Sequence, residues 1–277
     1  MKIGAHVSAA GGLHNAPRNA AAEGLECFQF FSRPPQGGPP PKLGNKEAAE
    51  FRAACDGHGF DEYYVHTPYV INICSAKPPV RKSTVEIIRT DLERASLLGC
   101  KSIMTHLGSA NGLDEDQAIE LAIEGIGKVI DGYDGSARLL LEISAGAGNV
   151  IGDSFEELAT ILHRVEDDRL GVCFDSAHAF ASGYDLRTAA AVKNTLSEFD
   201  RTIGLDRLEL VHLNDSKVEL GSHKDRHEHV GQGLIGTRGI RELMSAPALA
   251  RMNLILETPT DGRADDVVKL KEIREKI

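Results

Sequence analysis

The sequence predicts an α/β protein of the (β/α)8 TIM-barrel class, folded as a single domain over residues 1–277. The length of 277 residues fits one such barrel. Short apolar runs of strand length alternate with amphipathic segments, which is the pattern of repeated βα units. No shift in composition marks a domain boundary. The structural alternative is an open doubly wound sheet, which requires a reversal of strand order that a sequence does not reveal.

Eight apolar runs, rich in β-branched and aromatic residues, supply the strands of the predicted barrel. They are Ile3–Val7, Cys27–Phe31, Tyr63–Val65, Ser102–Thr105, Leu139–Ile143, Leu170–Phe174, Leu208–Leu213 and Asn253–Leu256.

The segments between these runs predict helices. Thr84–Leu98 is the clearest, because its apolar residues recur with a 3.6-residue period on one face. Ser154 to Glu157 reads as a capping box that opens a helix. In contrast, the five prolines and three glycines of Ser32–Gly44 predict an irregular loop. The other predicted helices are Asp114–Ile130, Ser154–Val165, Asp185–Ile203, Thr237–Met244 and Asp265–Ile277.

Charge and composition restrict the functional classes. A formal net charge of −10 disfavours nucleic-acid binding unless bound cations offset it locally. The five cysteines contain no C-x-x-C pair, which fits a reducing cytosol and predicts a cytoplasmic protein without a disulfide framework. No apolar run approaches the roughly 18 residues that span a bilayer, and the N-terminus lacks a signal-peptide core. We therefore expect no membrane association.

Acidic residues and histidines follow six successive apolar runs. A TIM barrel carries its active site at the carboxyl ends of its strands, so these side chains should meet at one mouth. A lone histidine after a strand is more often a hydrogen-bonded loop residue, and only the joint pattern favours ligands. The residues are His66, His106, Glu142, Asp175, His178, His212, Asp225, His227 and Glu257.

Three of these carboxylates, on Glu142, Asp175 and Glu257, are flanked by apolar residues. Such groups are rarely buried unless an arginine or a metal ion compensates them. Together at one mouth they would repel one another without cations between them. Five histidines and four carboxylates exceed the ligands of one ion, so two or three ions with a bridging carboxylate are expected. Nitrogen and oxygen donors without sulfur favour zinc or manganese.

Clustered divalent ions serve in-line displacement at phosphorus, where they activate water and neutralise the leaving oxygen. The sequence therefore favours phosphoester hydrolysis. Residues 231–236 match G-x-G-x-x-G by letter, but no strand directly precedes them, so a tight turn is favoured over a nucleotide site.

Six motifs carry a resemblance to the endonuclease IV family, the metal-dependent apurinic/apyrimidinic endonucleases of base-excision repair. They are GAHVSAAGG (4–12), HTPYVIN (66–72), DSAHAFASGYDLRT (175–188), HLND (212–215), DRHEHVGQGLIG (225–236) and LILETP (254–259). The resemblance implies a (β/α)8 barrel that cuts double-stranded DNA 5′ to an abasic site, leaves a 3′-hydroxyl and trims blocked 3′ ends.

The resemblance also implies a trinuclear zinc centre, with Mn2+ as an alternative at one or more positions. His66 and His106 would hold the first ion. The second would be held by Asp175, His212 and Glu257, and the third by His178, Asp225 and His227. Glu142 would bridge the first two ions and position the attacking water, which makes it the catalytic residue.

Family members flip the damaged nucleotide out and wedge the duplex open from the minor groove. The resemblance assigns the wedge to Tyr69, with Val70 where a leucine is common. Gln36 stands where the family usually has an arginine, and the family's tryptophan in this loop is missing. Arg226 would hold a phosphate, with a surface ion pair as its alternative. We expect the chain to act as a monomer.

Two other functions remain open at this point. A sugar isomerase or epimerase on the same barrel would use one or two ions and would not need His178, Asp225 and His227. A non-catalytic module that binds DNA or metal is the second. His6, at the end of the first run, is expected to support a ligand or to contact substrate.

Overall fold

Eight parallel strands close into a barrel in the computed structural model, which describes all 277 residues, and the predicted fold class is confirmed. The strands follow one another around the barrel in chain order. They are β1 (Ile3–His6), β2 (Cys27–Phe31), β3 (Tyr63–His66), β4 (Ser102–Thr105), β5 (Arg138–Glu142), β6 (Leu170–Asp175), β7 (Leu208–His212) and β10 (Leu254–Leu256). Two further short strands, β8 (Asp215–Ser216) and β9 (His227–Glu228), pair antiparallel in the loop after β7.

Nine α-helices surround the barrel. They are α1 (Asn15–Ala22), α2 (Asn45–Gly57), α3 (Pro78–Leu98), α4 (Glu115–Ile130), α5 (Phe155–Val165), α6 (Ser176–Ser182), α7 (Ala189–Thr202), α8 (Gly236–Ser245) and α9 (Arg263–Arg274). None of them combines the length and the apolar content that a bilayer crossing requires.

Some helix ends differ from the prediction for local reasons. Helix α3 begins six residues before Thr84, at Pro78, because proline is well suited to a first helical position. The helix predicted from Asp185 begins at Ala189, where Thr188 caps it. The capping box of α5 is half formed: Ser154 accepts the N–H of Glu157, while the Glu157 carboxylate accepts those of Gly152 and Asp153.

One layer of apolar side chains fills the middle of the barrel, and a larger core of 65 buried residues lies between strands and helices. Seven strands each contribute one residue to the layer. In β1 the equivalent residue is Gly4, where a Cβ atom would lie 2.4 Å from the carbonyl oxygen of Cys27. The layer consists of Cys27, Tyr64, Met104, Leu140, Cys173, Leu210 and Ile255.

The segment Ser32–Gly44 is an irregular loop, as predicted. It is nevertheless anchored, because Arg33 pairs with Asp91 of α3 at 2.8 Å and Arg94 donates to the carbonyl oxygen of Ser32 at 2.7 Å. All five cysteines are buried and unpaired.

Candidate metal centre

The strands place the candidate ligands by a simple rule. Side chains alternate between the two faces of a strand, so the residue two positions after an interior residue also points into the barrel. In six strands that residue is a predicted ligand, one layer closer to the carboxyl ends. The pairs are Tyr64 and His66, Met104 and His106, Leu140 and Glu142, Cys173 and Asp175, Leu210 and His212, and Ile255 and Glu257.

Glu142 lies at the centre of the site and is completely buried. Its Oε2 atom is 3.1 Å from Nε2 of His66 and 3.6 Å from Nε2 of His106. Its Oε1 atom is 3.0 Å from Nδ1 of His212. The two oxygens of one carboxylate thus face two different groups of donors, which is the arrangement that a bridging ligand needs.

A second group of donors shares Glu142. His212 Nδ1 lies 3.3 Å from Glu257 Oε2 and 3.9 Å from Asp175 Oδ2. In each group the possible ligand atoms lie within 4.8 Å of one another, which is close enough to share one ion. The first group is His66, His106 and Glu142, and the second is Glu142, Asp175, His212 and Glu257.

The third group is carried by a helix and a loop. His178 lies in the first turn of α6, which the sequence did not predict, and Asp175 caps this helix by accepting the N–H of His178. Asp225 Oδ1 is 3.3 Å from Nε2 of both His178 and His227. The donors that lie within 4.8 Å of one another here are His178, His227 and Asp175, whose Oδ2 is 3.8 Å from Nε2 of His227, and Asp225 lies beside them. All nine predicted ligands therefore converge on one mouth.

The ring nitrogens of three histidines have defined roles. His66 donates Nδ1–H to the carbonyl oxygen of Thr67, and His178 to that of Ile143. His227 does the same with the carbonyl oxygen of Glu257. Since a carbonyl only accepts, Nδ1 carries a proton in each of these rings, and Nε2 is the nitrogen that can bind an ion once the ion displaces any proton there. Ligating histidines are typically fixed in this way.

The carboxylates and the histidines of the site stabilise each other's charged forms. Burial would raise the pKa of Glu142, but His106 and His212 outweigh it and hold that pKa well below its usual range. Burial would lower the pKa of His178, but Asp175 and Asp225 raise it well above its usual value. The carboxylates thus attract protons onto the imidazoles. Divalent cations can replace these protons, so the donor set fits metal ions.

Two buried residues that orient the ligands were missed by sequence reasoning. Asn214 donates to Asp175 Oδ2 at 2.7 Å and accepts the backbone N–H of Glu257 at 2.7 Å. Gln29 on β2 bonds to His6, His212 and Glu257. Gln29 follows the interior residue Cys27 by two positions, so the alternation rule would have found it.

A cavity of about 1450 Å³ opens above the centre. Tyr69 and Val70 stand on its rim with 71% and 45% of their surface exposed, and the ring of Phe31 supports Tyr69 edge-on at 5.2 Å. Gln36 is exposed on the neighbouring loop. Arg226 is exposed and donates to the carbonyl oxygen of Asp225 rather than forming an ion pair. His6 lines the cavity 3.7 Å from Glu257, and burial lowers its pKa.

The fold and the site define a TIM-barrel protein with clustered His, Asp and Glu side chains at its mouth that could hold metal ions. Residues 17–276 match the family model described as xylose isomerase-like TIM barrel. A probable endonuclease 4 from Halobacterium salinarum is 39% identical, over 99% of this chain and 100% of its own length. The structure of endonuclease IV from Thermus thermophilus is 35% identical with a TM-score of 0.87, over 99% of this chain and 98% of its own.

The chain belongs to the endonuclease IV family. A D-tagatose 3-epimerase-like protein has the same fold, with a TM-score of 0.75 over 100% of this chain and 99% of its own. Its sequence is only 20% identical, so it shares the architecture alone.

Proposed function

We propose that this protein is a DNA-repair endonuclease that hydrolyses the phosphodiester bond 5′ to an abasic site and removes blocking groups from 3′ ends. The proposal rests on family membership and on one observation. The buried carboxylate of Glu142 directs one oxygen at His66 and the other at His212, between two adjacent groups of donors. A third group lies beside them. This is a centre built for several cations rather than for one.

We infer that zinc occupies the three groups, with Mn2+ possible at one or more of them, because the donors are nitrogen and oxygen atoms only. His66 and His106 would hold one ion. Asp175, His212 and Glu257 would hold the second, with Glu142 shared between these two. His178, Asp225 and His227 would hold the third. When bound, such ions activate water at neutral pH and stabilise negative charge on a leaving oxygen.

The chain itself would orient the reactants. Glu142 is completely buried beside His66 and His106, which line the cavity. From there its carboxylate would orient the attacking water toward phosphorus. The exposed side chains of Tyr69 and Val70 suit a wedge in the minor groove. An abasic nucleotide costs least to flip out, since it has no base to unstack. Arg226 is free to meet a phosphate, because its guanidinium has no carboxylate partner.

The third group of donors also argues against a sugar isomerase or epimerase. Such an enzyme needs one or two ions, whereas this mouth carries His178, Asp225 and His227 beyond the donors of the first two groups. Action as a monomer and a cytoplasmic location remain predictions.

The test is cleavage of a duplex with one synthetic abasic site, with metal content measured on the same sample. We expect incision on the 5′ side and three ions per chain. Glu142→Gln should abolish incision. The matched control is Glu209→Gln, on β7, whose carboxylate pairs with Arg138 at 2.7 Å and lies outside the donor groups. It should cleave as the unchanged protein does.

A fully metallated sample that leaves the abasic duplex intact would overturn the endonuclease proposal. If the same sample interconverts ketose sugars, the isomerase alternative takes its place. If Glu142→Gln still cleaves, the carboxylate does not have the role proposed for it.

A further inference from the structure

We propose that Gln29 is a positioning residue for this centre: its side-chain amide fixes which nitrogen of His212 carries the proton and holds Glu257 in place for the second ion. The inference rests on the proposed metal centre and goes beyond it, because it assigns a role to a side chain that is not itself a ligand.

Gln29 is completely buried and reaches three functional side chains from β2. Its Nε2 atom lies 2.6 Å from Glu257 Oε1 and 2.9 Å from Nδ1 of His6. Its Oε1 atom lies 2.8 Å from Nε2 of His212. All three hydrogen-bonding groups of the amide are used: two N–H donors and one acceptor.

The direction of these bonds follows from chemistry alone. A carboxylate only accepts, so the atom that faces Glu257 must be the amide nitrogen of Gln29. The amide oxygen then faces His212, and an oxygen only accepts. His212 must therefore carry its proton on Nε2, which leaves the lone pair of Nδ1 directed at Glu142 and Glu257.

No backbone carbonyl can do this for His212. His66, His178 and His227 each donate Nδ1–H to a main-chain oxygen, and each offers Nε2 to the centre. His212 is reversed, with Nδ1 facing inward and Nε2 facing β2. The hydrogen-bond partner of Nε2 there is the side chain of Gln29, and the thiol of Cys173 also lies beside the His212 ring. The side chain of Gln29 thus fixes the protonated nitrogen of His212, as main-chain carbonyl groups do for His66, His178 and His227.

Loss of the amide would have two consequences. Without an acceptor, Nε2 of His212 would no longer hold its proton, and Nδ1 could take one and donate it to Glu142 instead of binding metal. Without the donor, Glu257 would be free to turn away. Both changes weaken the second ion site specifically. Residues that orient ligands in this way typically contribute 10- to 100-fold to metal affinity.

Two substitutions separate the roles. Gln29→Met removes both the acceptor and the donors, whereas Gln29→Glu keeps an oxygen for His212 but removes the donor to Glu257. The control is Phe30→Leu. Phe30 is the next residue of β2, is completely buried, and packs on the outer side of the barrel against Phe51 at 5.2 Å. It reports the effect of disturbing β2 without touching the centre.

Zinc retention is measured by equilibrating each protein with graded concentrations of a competing chelator and counting the ions that remain. Long-range 1H–15N spectra of the zinc-loaded proteins report which nitrogen of His212 is protonated. We expect Gln29→Met to release one ion at 10- to 100-fold less chelator and to lose the Nε2–H signal. Gln29→Glu should release that ion early and keep the signal. Phe30→Leu should match the unchanged protein in both.

The inference is overturned if Gln29→Met retains three ions as tightly as the unchanged protein, or if the unchanged protein carries the His212 proton on Nδ1. Either result leaves the endonuclease proposal intact, since cleavage is assayed separately. An unchanged protein that never binds more than one ion overturns both. Equal loss of all ions in Gln29→Met and Phe30→Leu would reduce Gln29 to a structural residue.

Discussion

The inner and outer parts of the centre are built differently. The inner ligands stand at the ends of barrel strands, and His66, Glu142 and His212 are at most 4% exposed. The outer ligands His178, Asp225 and His227 belong to α6 and to the loop after β7, and the side chain of Asp225 is 53% exposed. The barrel's closed hydrogen-bonding network fixes the first set, whereas the second depends on whatever supports the loop.

That support comes from Asp215 of β8. Its buried carboxylate accepts backbone N–H groups from Ser216, Gly231, Gly233, Ile235 and Gly236. At Gly233 a Cβ atom would lie 2.4 Å from the carbonyl oxygen of Ser216, so no larger residue fits. Residues 231–236 therefore form the predicted turn. Their main chain surrounds the carboxylate of Asp215 rather than a nucleotide.

Removing one ligand from each part of the centre should have the largest effect. We expect His66→Asn to lose an inner ion and to reduce incision of abasic DNA by more than about 100-fold. Residues that only support a ligand contribute up to about that factor, and His66 is itself a predicted ligand. His227→Asn should lose the outer ion and keep the inner two, because the strand ends stay in place. Metal counting checks this, with the exposed His163→Asn on α5 as control. Loss of every ion from His227→Asn would contradict the independence of the two parts.

The second substitution acts on the support of the outer part. Asp215→Asn keeps the shape of the side chain but removes its charge and one acceptor, leaving buried N–H groups short of partners at about 1–3 kcal/mol. The loop should then hold Asp225 and His227 less firmly, and the outer ion should bind 10- to 100-fold more weakly. Chelator titration measures this. Weakening of the inner ions instead would show that the loop supports the whole centre.

The same division explains what the sequence could predict. A ligand on a strand end is visible, because the alternation of strand residues places His66 or Glu142 two positions beyond an interior residue. The eight strands were predicted to within a residue or two because each is a short apolar run rich in β-branched and aromatic residues. The loop ligands Asp225 and His227 were named from their place after the seventh run, and the family motifs then assigned them, with His178, to a third ion.

Other features of the site could not be predicted from the residues next to them in the sequence. Helix α6 is only seven residues long and depends on its cap, Asp175. A helix this short shows no apolar periodicity from which it could be predicted. The role of Asn214 depends on two contacts from β6 and β10, separated from it by 39 and 43 residues. Such roles arise from closure of the barrel and become visible only in three dimensions.

The rim of the cavity, like the outer ligands, is carried by loops. A Cβ atom at Gly37 would lie 3.2 Å from the side chain of Val70, and Tyr69 donates its N–H to the carbonyl oxygen of Pro35 at 3.0 Å. Gln36 lies at the tip of this pair of loops and carries no charge.

Gln36→Arg should tighten binding to abasic duplex several-fold and steepen its salt dependence by roughly one phosphate contact. Fluorescence anisotropy with Glu142→Gln as background measures binding without cleavage. Gln36→Met is the uncharged control, and an unchanged salt slope for the arginine would mean that this tip does not meet DNA.

The smallest expected effect concerns Glu157, a buried carboxylate that braces the loop between β5 and α5. It accepts only two N–H groups, from Gly152 and Asp153, whereas Asp215 accepts five. Burial raises the pKa of Glu157 to about 7, and Asp153 adds to this. The unfolded chain releases the proton near 4.5. The folded state is therefore favoured at low pH and loses stability as pH rises from about 4.5 to 7, with no further loss above.

Glu157→Gln keeps an oxygen for both N–H groups and cannot ionise. Its stability relative to the unchanged protein should rise by about 1–2 kcal/mol between pH 5 and pH 8, after allowance for partial solvent screening. Urea unfolding at four pH values measures the difference, and subtraction cancels the pH dependence of the metal centre, which both proteins share. The exposed neighbour Glu156→Gln should show no such trend. A difference that stays constant with pH would mean that Glu157 is ionised throughout, and that two N–H donors support a loop carboxylate as well as five do.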